Sequence, residues 1–239
     1  INAAGRLGHG DMAAELFMTD DTHRAQTLAA SLCEQNKQRQ ATENQILDQA
    51  LQKLRKEYNP LEDQVIVLAG EHWHHGVIGI VSSRICDRYA CPTVLIAVED
   101  GVGKGSGRSV KGFNLYEALC DSAPLLERFG GHELAAGLTI RAENIPAFKQ
   151  NMADWAKDHV NPQELMPLLH IDCPIAPEFI TLENIQGLDV LEPFGMGNPQ
   201  PIFSMRDMLV EEITPISSDR HVRLTLSKNG MLYTAMLFG

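Results

Sequence analysis

The sequence predicts an α/β fold approached through one long helix and followed by a region of short strands. Three observations predict it. No glycine or proline interrupts the chain from Asp11 to Asn59. Two apolar runs, Gln64–Ala69 and Thr93–Val98, flank a stretch with helical periodicity. Beyond Asn161-Pro162 the pattern changes to short β-type runs separated by turn residues.

Taken in order, Ile1 to Gly8 is rich in small residues and holds one cation, Arg6. Asp11–Met18 reads as a short helix. Thr19, Asp20 and Asp21 offer N-caps for the next one, and Asn59-Pro60 stops it. The helix between them is about 36 residues, or roughly 54 Å at 1.5 Å per residue. Its apolar positions form two stripes: Leu28, Ala29 and Leu32, then Ile46, Leu47, Ala50, Leu51 and Leu54. Glu34–Gln45 is polar almost all round. Packing at both ends with a wet middle describes a bridge between two domains. Heptads fail in the centre, which argues against a coiled coil.

Gln64–Ala69 and Thr93–Val98 read as buried strands. Gly76–Tyr89 is the helix between them, with Val77, Ile80, Val81 and Ile85 in helical register. Strand, helix and strand of this kind form a βαβ unit with parallel pairing. Gly101–Ser109 is a glycine-rich turn leading into a short strand. Asn114–Phe129 reads as a helix in which Pro124 is a break or a new start. Leu138–Ile140 returns to the sheet. Ile145–His159 is amphipathic, with Phe148, Met152 and Trp155 on one face. Together these make an α/β domain over about residues 62–160.

Asn161-Pro162 is read as a linker. Leu168–Cys173 follows as a strand, Thr181–Leu191 as a helix and Glu192–Pro201 as a Gly/Pro loop. Ile202–Ser204, Met208–Ile213, His221–Ser227 and Leu232–Phe238 are strand candidates, with Asn229-Gly230 a hairpin turn. Such a series suggests a small barrel of the OB type. The chain starts on Ile1 and stops inside an apolar run, so it reads as a piece cut from a longer one.

The formal charge of −11 argues against a non-specific nucleic-acid coat. A local basic groove on an acidic protein remains open. Five scattered cysteines without a C-x-x-C pair suggest the reduced thiols of a cytoplasmic protein. No apolar run reaches the roughly 20 residues of a membrane span, and no N-terminal signal pattern is present.

Phe129-Gly130-Gly131-His132-Glu133-Leu134-Ala135-Ala136-Gly137 is the stretch most suggestive of chemistry. If Glu133–Ala136 starts a helical turn, its N-terminus and the Gly-Gly amides form an anion site with His132 at its lip. The alternative is a tight turn around a satisfied histidine. Lys104–Lys111 carries three cations and no acid. It combines glycine amides, serine hydroxyls and an arginine fork, but lacks P-loop spacing; a solvated hairpin is the alternative. Glu71–Gly76 holds three histidines without the spacing or partners of a metal site. His75 is placed just before the helix N-terminus, where it could bind an anion. Arg84 and Arg6 either contact substrate or pair with carboxylates. Phe113 and Phe129 are base platforms or, better, core.

Five segments carry a resemblance. They are Ile1–Leu7, His75–Val81, Gly105–Ser109, Phe129–Gly137 and Pro193–Pro199. In this order they resemble the RecJ family of single-strand-specific DNA exonucleases, within the DHH phosphoesterase superfamily. The resemblance implies that residues 1–18 are the tail of a DHH domain and 19–60 a connecting helix. It implies a DHHA1-like domain at 61–160, a mixed sheet flanked by helices, and a partial OB-fold-like domain at 161–239. It further implies 5′-to-3′ hydrolysis of single-stranded DNA by two Mn²⁺ or Mg²⁺ ions. Their Asp and His ligands would precede Ile1, so the fragment itself would bind no metal and cut nothing.

By the same resemblance, Ser106 and Arg108 grip backbone phosphates, and Arg84 and Arg6 add charge. Gly130, Gly131 and His132 close over the reacting phosphate. A positive strip joining Arg84, Arg108 and Lys111 is expected within an acidic exterior. The family's partners would be single-strand binding protein and a RecQ-type helicase, the chain being a monomer. Two other readings stay open: a DHH phosphodiesterase for short oligonucleotides or cyclic dinucleotides, and a non-catalytic nucleic-acid-binding module.

Overall fold

The computed structural model describes residues 2–7, 10–59, 63–161, 169–216 and 221–238. Two compact units divide the chain, Ile1–Pro167 and Leu168–Gly239.

The first unit opens with α1 (Asn2–Leu7), α2 (Gly10–Met18) and α3 (Thr22–Glu57). Asp21 caps α3: its carboxylate accepts the backbone N–H of His23 at 2.9 Å and that of Arg24. The helix runs 36 residues, as its cap and stop imply. Its buried side chains include Leu28 and Leu32 at one end and Ile46, Ala50 and Leu54 at the other. Helices α1 and α2 pack on it, as do the first strand and helix of the sheet domain. The polar middle is not wholly wet. Glu43 is 8% exposed and is held by Arg39 and by Arg84, whose Nη1 lies 2.9 Å from its carboxylate. A buried carboxylate needs such partners.

The sheet domain follows as β1 (Ile66–Glu71), α4 (His75–Tyr89), β2 (Thr93–Glu99), β3 (Val102–Arg108), α5 (Leu115–Asp121), β4 (Leu126–His132), β5 (Ala135–Arg141) and α6 (Ile145–His159). The strand order is β1-β2-β3-β5-β4. Strands β1 and β2 are parallel, as the βαβ pattern requires, and the remaining pairs are antiparallel. One core packs α3 and α4 against β1 and β2 through Ile46, Leu54, Leu68, Val81, Ile85 and Leu95. The other packs α5 and α6 through Phe113, Leu119, Phe148, Met152 and Trp155. Phe113 is fully buried and Phe129 half-buried against this second core. Burying a phenylalanine contributes roughly 1.5–3 kcal/mol, about what a base stack would return, so Phe113 stays in the core.

Two expectations are corrected here. The helix read over Asn114–Phe129 ends at Asp121, and Pro124 sits in a 3₁₀ turn at Ala123–Leu125. Proline cannot supply the next helical N–H, and Leu126–His132 pairs with Ala135–Arg141 instead. Glu133–Ala136 is therefore not a helical turn. Glu133 and Leu134 turn a β-hairpin, so no helix N-terminus faces the glycines.

In the second unit, α7 (Leu182–Gly187) precedes an antiparallel sheet of β8 (Leu209–Ile216), β9 (His221–Lys228) and β10 (Met231–Phe238). Asn229 and Gly230 both take positive φ at the β9–β10 turn, the conformation for which Asn-Gly is suited. The strand read over Leu168–Cys173 shrinks to β6 (Cys173–Pro174), paired in parallel with β7 (Phe203–Ser204). Leu168, and Pro162 of the proposed linker, lie outside the described residues. In the Gly/Pro loop, Asn198 donates to the carbonyls of Leu191 at 2.7 Å and Pro193 at 3.1 Å. Among the described residues, no helix is long and apolar enough to cross a membrane.

Candidate nucleic-acid interface

Strand β3 sets the site through its two-residue alternation. Gly103, Gly105 and Gly107 face the α5–α6 core. A Cβ at these positions would lie 2.7 Å from Ile96, Leu138 and Leu115 respectively. These glycines make room for core side chains. Their strand pairs with both β2 and β5, so its amides do not form a phosphate cradle, contrary to the anion-binding part expected of the glycine amides. Lys104, Ser106 and Arg108 therefore share the opposite face.

Helix α4 packs over β2 and β3 on that face. Gly79 of α4 permits the approach: a Cβ there would lie 2.9 Å from Ser106 Oγ and 3.4 Å from an Arg108 guanidinium nitrogen. Arg108 donates to the Gly107 carbonyl at 2.7 Å and to Ser106 Oγ at 3.3 Å. It forms no salt bridge among the described residues. Beyond α4 the sheet is open. Register aligns Arg108 with Ala135 and His132, Ser106 with Gly137 and Gly130, and Lys104 with Thr139 and Arg128. Small residues floor the shelf, and cations border it.

Hairpin β4–β5 is pinned beside Arg108. The Ser109 N–H donates to the Leu134 carbonyl at 2.9 Å, and that of Leu115 to the Glu133 carbonyl at 3.0 Å. His132 Nδ1 accepts the Leu134 N–H at 3.3 Å. A neutral imidazole accepting at Nδ1 carries its proton on Nε2, so His132 presents a donor to solvent. Strand β4 is an edge strand. One of the successive Gly130 and Gly131 amides therefore points away from β5.

His75 is the first residue of α4, and His74 is the N-cap, its Nδ1 accepting the Gly76 N–H at 3.1 Å. This moves His75 one position into the helix from where the sequence placed it. With Lys104, Ser106, Arg128, Phe129 and Thr139 it lines a groove of about 410 Å³ on the open shelf. Burial, then the Lys104 and His74 charges, lower its pKa, with Glu99 opposing. At neutral pH His75 is therefore an uncharged hydrogen-bonding group rather than a cation.

The structure brings Ser106, Arg108, Gly130 and His132 to one face, with His75 at its rim, whereas Gly131 pairs with Ala136 in the row of Gly107 and so alternates to the core side of the sheet. Arg84 is engaged by Glu43, the carboxylate partner weighed as its alternative. Arg6 lines a separate cavity of about 710 Å³ with Asn2, Asn36 and Arg39. Sequence reasoning singled out neither Arg128 nor Thr139, and named Lys104 only within a cluster. The alternation of Lys104, Ser106 and Arg108 was the signal for a shared face. Arg128 was hidden because its segment reads as helical.

Gly79→Ala tests the packing between α4 and the shelf. Alanine normally favours a helix over glycine by about 1 kcal/mol. Here its methyl would displace Ser106 and Arg108, and the expected result is a several-fold lower affinity for a single-stranded oligonucleotide, tested as a ligand of the shelf, with the circular dichroism spectrum retained. Unchanged affinity would show that this approach does not set their position.

Comparisons with known proteins agree with this architecture. A family model described as the DHHA1 domain matches residues 62–158, and one described as the RecJ OB domain matches residues 171–239. A single-stranded-DNA-specific exonuclease RecJ from Bacillus subtilis is 34% identical over 229 residues, covering 95% of this chain and 29% of that protein. The protein of the same name from Escherichia coli is 31% identical over 238 residues, 96% of this chain and 41% of that one. The crystal structure of RecJ in complex with Mn²⁺ from Thermus thermophilus superposes with a TM-score of 0.81 at 34% identity. It covers 98% of this chain and 34% of that one. The chain thus spans well under half the length of these relatives.

Proposed function

We propose, on the premise that this chain carries a DHHA1 domain and a RecJ OB domain, that it is the strand-holding part of a metal-dependent, single-strand-specific DNA exonuclease. The observation that carries the reading is Arg108. An arginine with no carboxylate partner among the described residues stands beside Ser106 and in cross-strand register with His132 on an open shelf. In a chain of formal charge −11, such a cation awaits an anion from outside.

The chemistry of the shelf suits a phosphodiester. The guanidinium presents a planar fork to phosphate oxygens. Ser106 adds a hydroxyl and His132 an Nε2–H, while Gly130 and Gly137 let the sugar-phosphate backbone approach. A half-covered groove limits access to one strand. His132 would steady charge developing on the scissile phosphate.

Solved structures of the relatives are described as complexes with Mn²⁺ or Mg²⁺. Among the described residues, no three His, Cys, Asp or Glu side chains are grouped to hold an ion. These residues fit phosphate holding and not metal ligation. The chain by itself would bind DNA without hydrolysing it, acting as a monomer in the cytoplasm. Single-strand binding protein and a RecQ-type helicase would be the parent enzyme's partners.

Fluorescence anisotropy with a labelled oligothymidylate tests the reading. The chain should bind with an affinity that falls as salt rises. Arg108→Gln should weaken binding about 10- to 100-fold, the worth of a charge-assisted hydrogen bond of roughly 1.5–3 kcal/mol. Absence of salt-dependent binding would overturn the proposal.

A further inference from the structure

The two cations at the far end of the shelf have no role in the reading above. Lys104 and Arg128 are both exposed. Neither pairs with a carboxylate among the described residues, whereas Arg24, Arg39, Arg84, Arg141, Lys37 and Lys149 all do. Register places them on either side of Thr139, on neighbouring strands of the same face. Adjacent strands lie about 4.8 Å apart, so both long side chains reach the space above the threonine. The groove of about 410 Å³ runs directly there, bounded by Lys104, Arg128, Thr139 and Ser106.

We propose that Lys104, Thr139 and Arg128 form a second phosphate subsite, which holds a phosphodiester further along the strand than the one at Arg108 and His132. It rests on the function proposed above and adds a direction. The row Arg108–Ala135–His132 and the row Lys104–Thr139–Arg128 are four residues apart along β3, roughly 13 Å at 3.3 Å per residue. A single strand therefore runs parallel to β3 over the open strands β5 and β4, across Gly137 and Gly130, beside the part of β3 that α4 covers. The floor between the rows is free of large side chains, so the intervening nucleotide can lie close to the backbone. The substrate class is a polynucleotide of several phosphates rather than a mononucleotide. The Lys104 charge also reaches the groove rim, where it contributes to lowering the His75 pKa.

The test measures oligothymidylate binding by this chain across a salt series for the unaltered protein, Lys104→Gln, Arg128→Gln, Thr139→Val and Arg108→Gln. Lys104 and Arg128 are exposed and Arg108 is half-buried, and retained thermal melting verifies each fold. The double variant Lys104→Gln/Arg128→Gln no longer neutralises one phosphate, so its log-affinity against log-salt slope should be shallower by about 0.7. Its affinity at low salt should be about tenfold weaker. Thr139→Val should weaken binding without changing the slope. If Arg108→Gln weakens binding while the double variant keeps both slope and affinity, the second subsite is overturned and the proposed function stands. If the unaltered chain shows no salt-dependent binding, both are overturned.

Discussion

Alanine at His132 is expected to lower kcat of the exonuclease proposed above by about 10²–10³-fold, the usual cost of removing one preorganised donor at a reacting phosphate or acyl centre. Substrate KM should stay within a factor of two, because a neutral donor contributes little to ground-state attraction. The geometry supports this split. His132 ends β4 in register with Ala135 and Arg108. Its Nδ1 is held by the Leu134 N–H, which leaves Nε2–H directed outward. Glutamine, which keeps a donor at the end of the side chain, should restore part of kcat. In this chain alone, His132→Ala should leave the salt slope of oligonucleotide binding unchanged. Steady-state kinetics on a long single strand gives the answer, and near-normal turnover would remove His132 from the mechanism.

The second large effect falls on stability. Gly131 has φ +150°, and a Cβ there would lie 2.3 Å from the Ala135 carbonyl oxygen and 2.5 Å from Ala136 Cα. Both are backbone atoms of the paired strand, fixed by the sheet, so neither can move aside cheaply. Backbone strain costs about 1–3 kcal/mol, and an overpacked contact a similar amount. Gly131→Ala should therefore destabilise the Ile1–Pro167 unit by roughly 2–5 kcal/mol, read as a lowered urea midpoint. Gly130→Ala is the control: nothing lies within 4 Å of its added methyl, and its stability should change by less than about 0.5 kcal/mol. Equal effects at both positions would refute this account of the double glycine.

Elements whose signals are local were legible in the sequence. The 36-residue α3 follows from an N-cap at Asp21, an uninterrupted run and a stop near Asn59. Apolar runs at β1 and β2 with α4 between them could only be a parallel pair. Asn229-Gly230 defines its hairpin by the φ values those residues tolerate. The grouping of Ser106 and Arg108 was also readable, because residues two apart in a strand share a face.

The rest depended on partners distant in the chain. Leu126–His132 has helix-compatible residues, and only pairing with Ala135–Arg141 makes it a strand. That single change removed the expected helix N-terminus, brought Arg128 to the shelf and turned the double glycine into a hairpin edge. Glu43 reads as part of a solvated stretch, yet Arg84, 41 positions away, helps to bury it. The sequence by itself determined the long helix, the βαβ unit and the Asn-Gly hairpin, together with the family resemblance and the candidate phosphate-binding residues. Only the tertiary structure decided which of them meet. Hydrogen-bonded register between β3, β5 and β4 assembles Arg108 with His132 and Lys104 with Arg128, while α4, ending its cover at β3, leaves the face of β5 and β4 open.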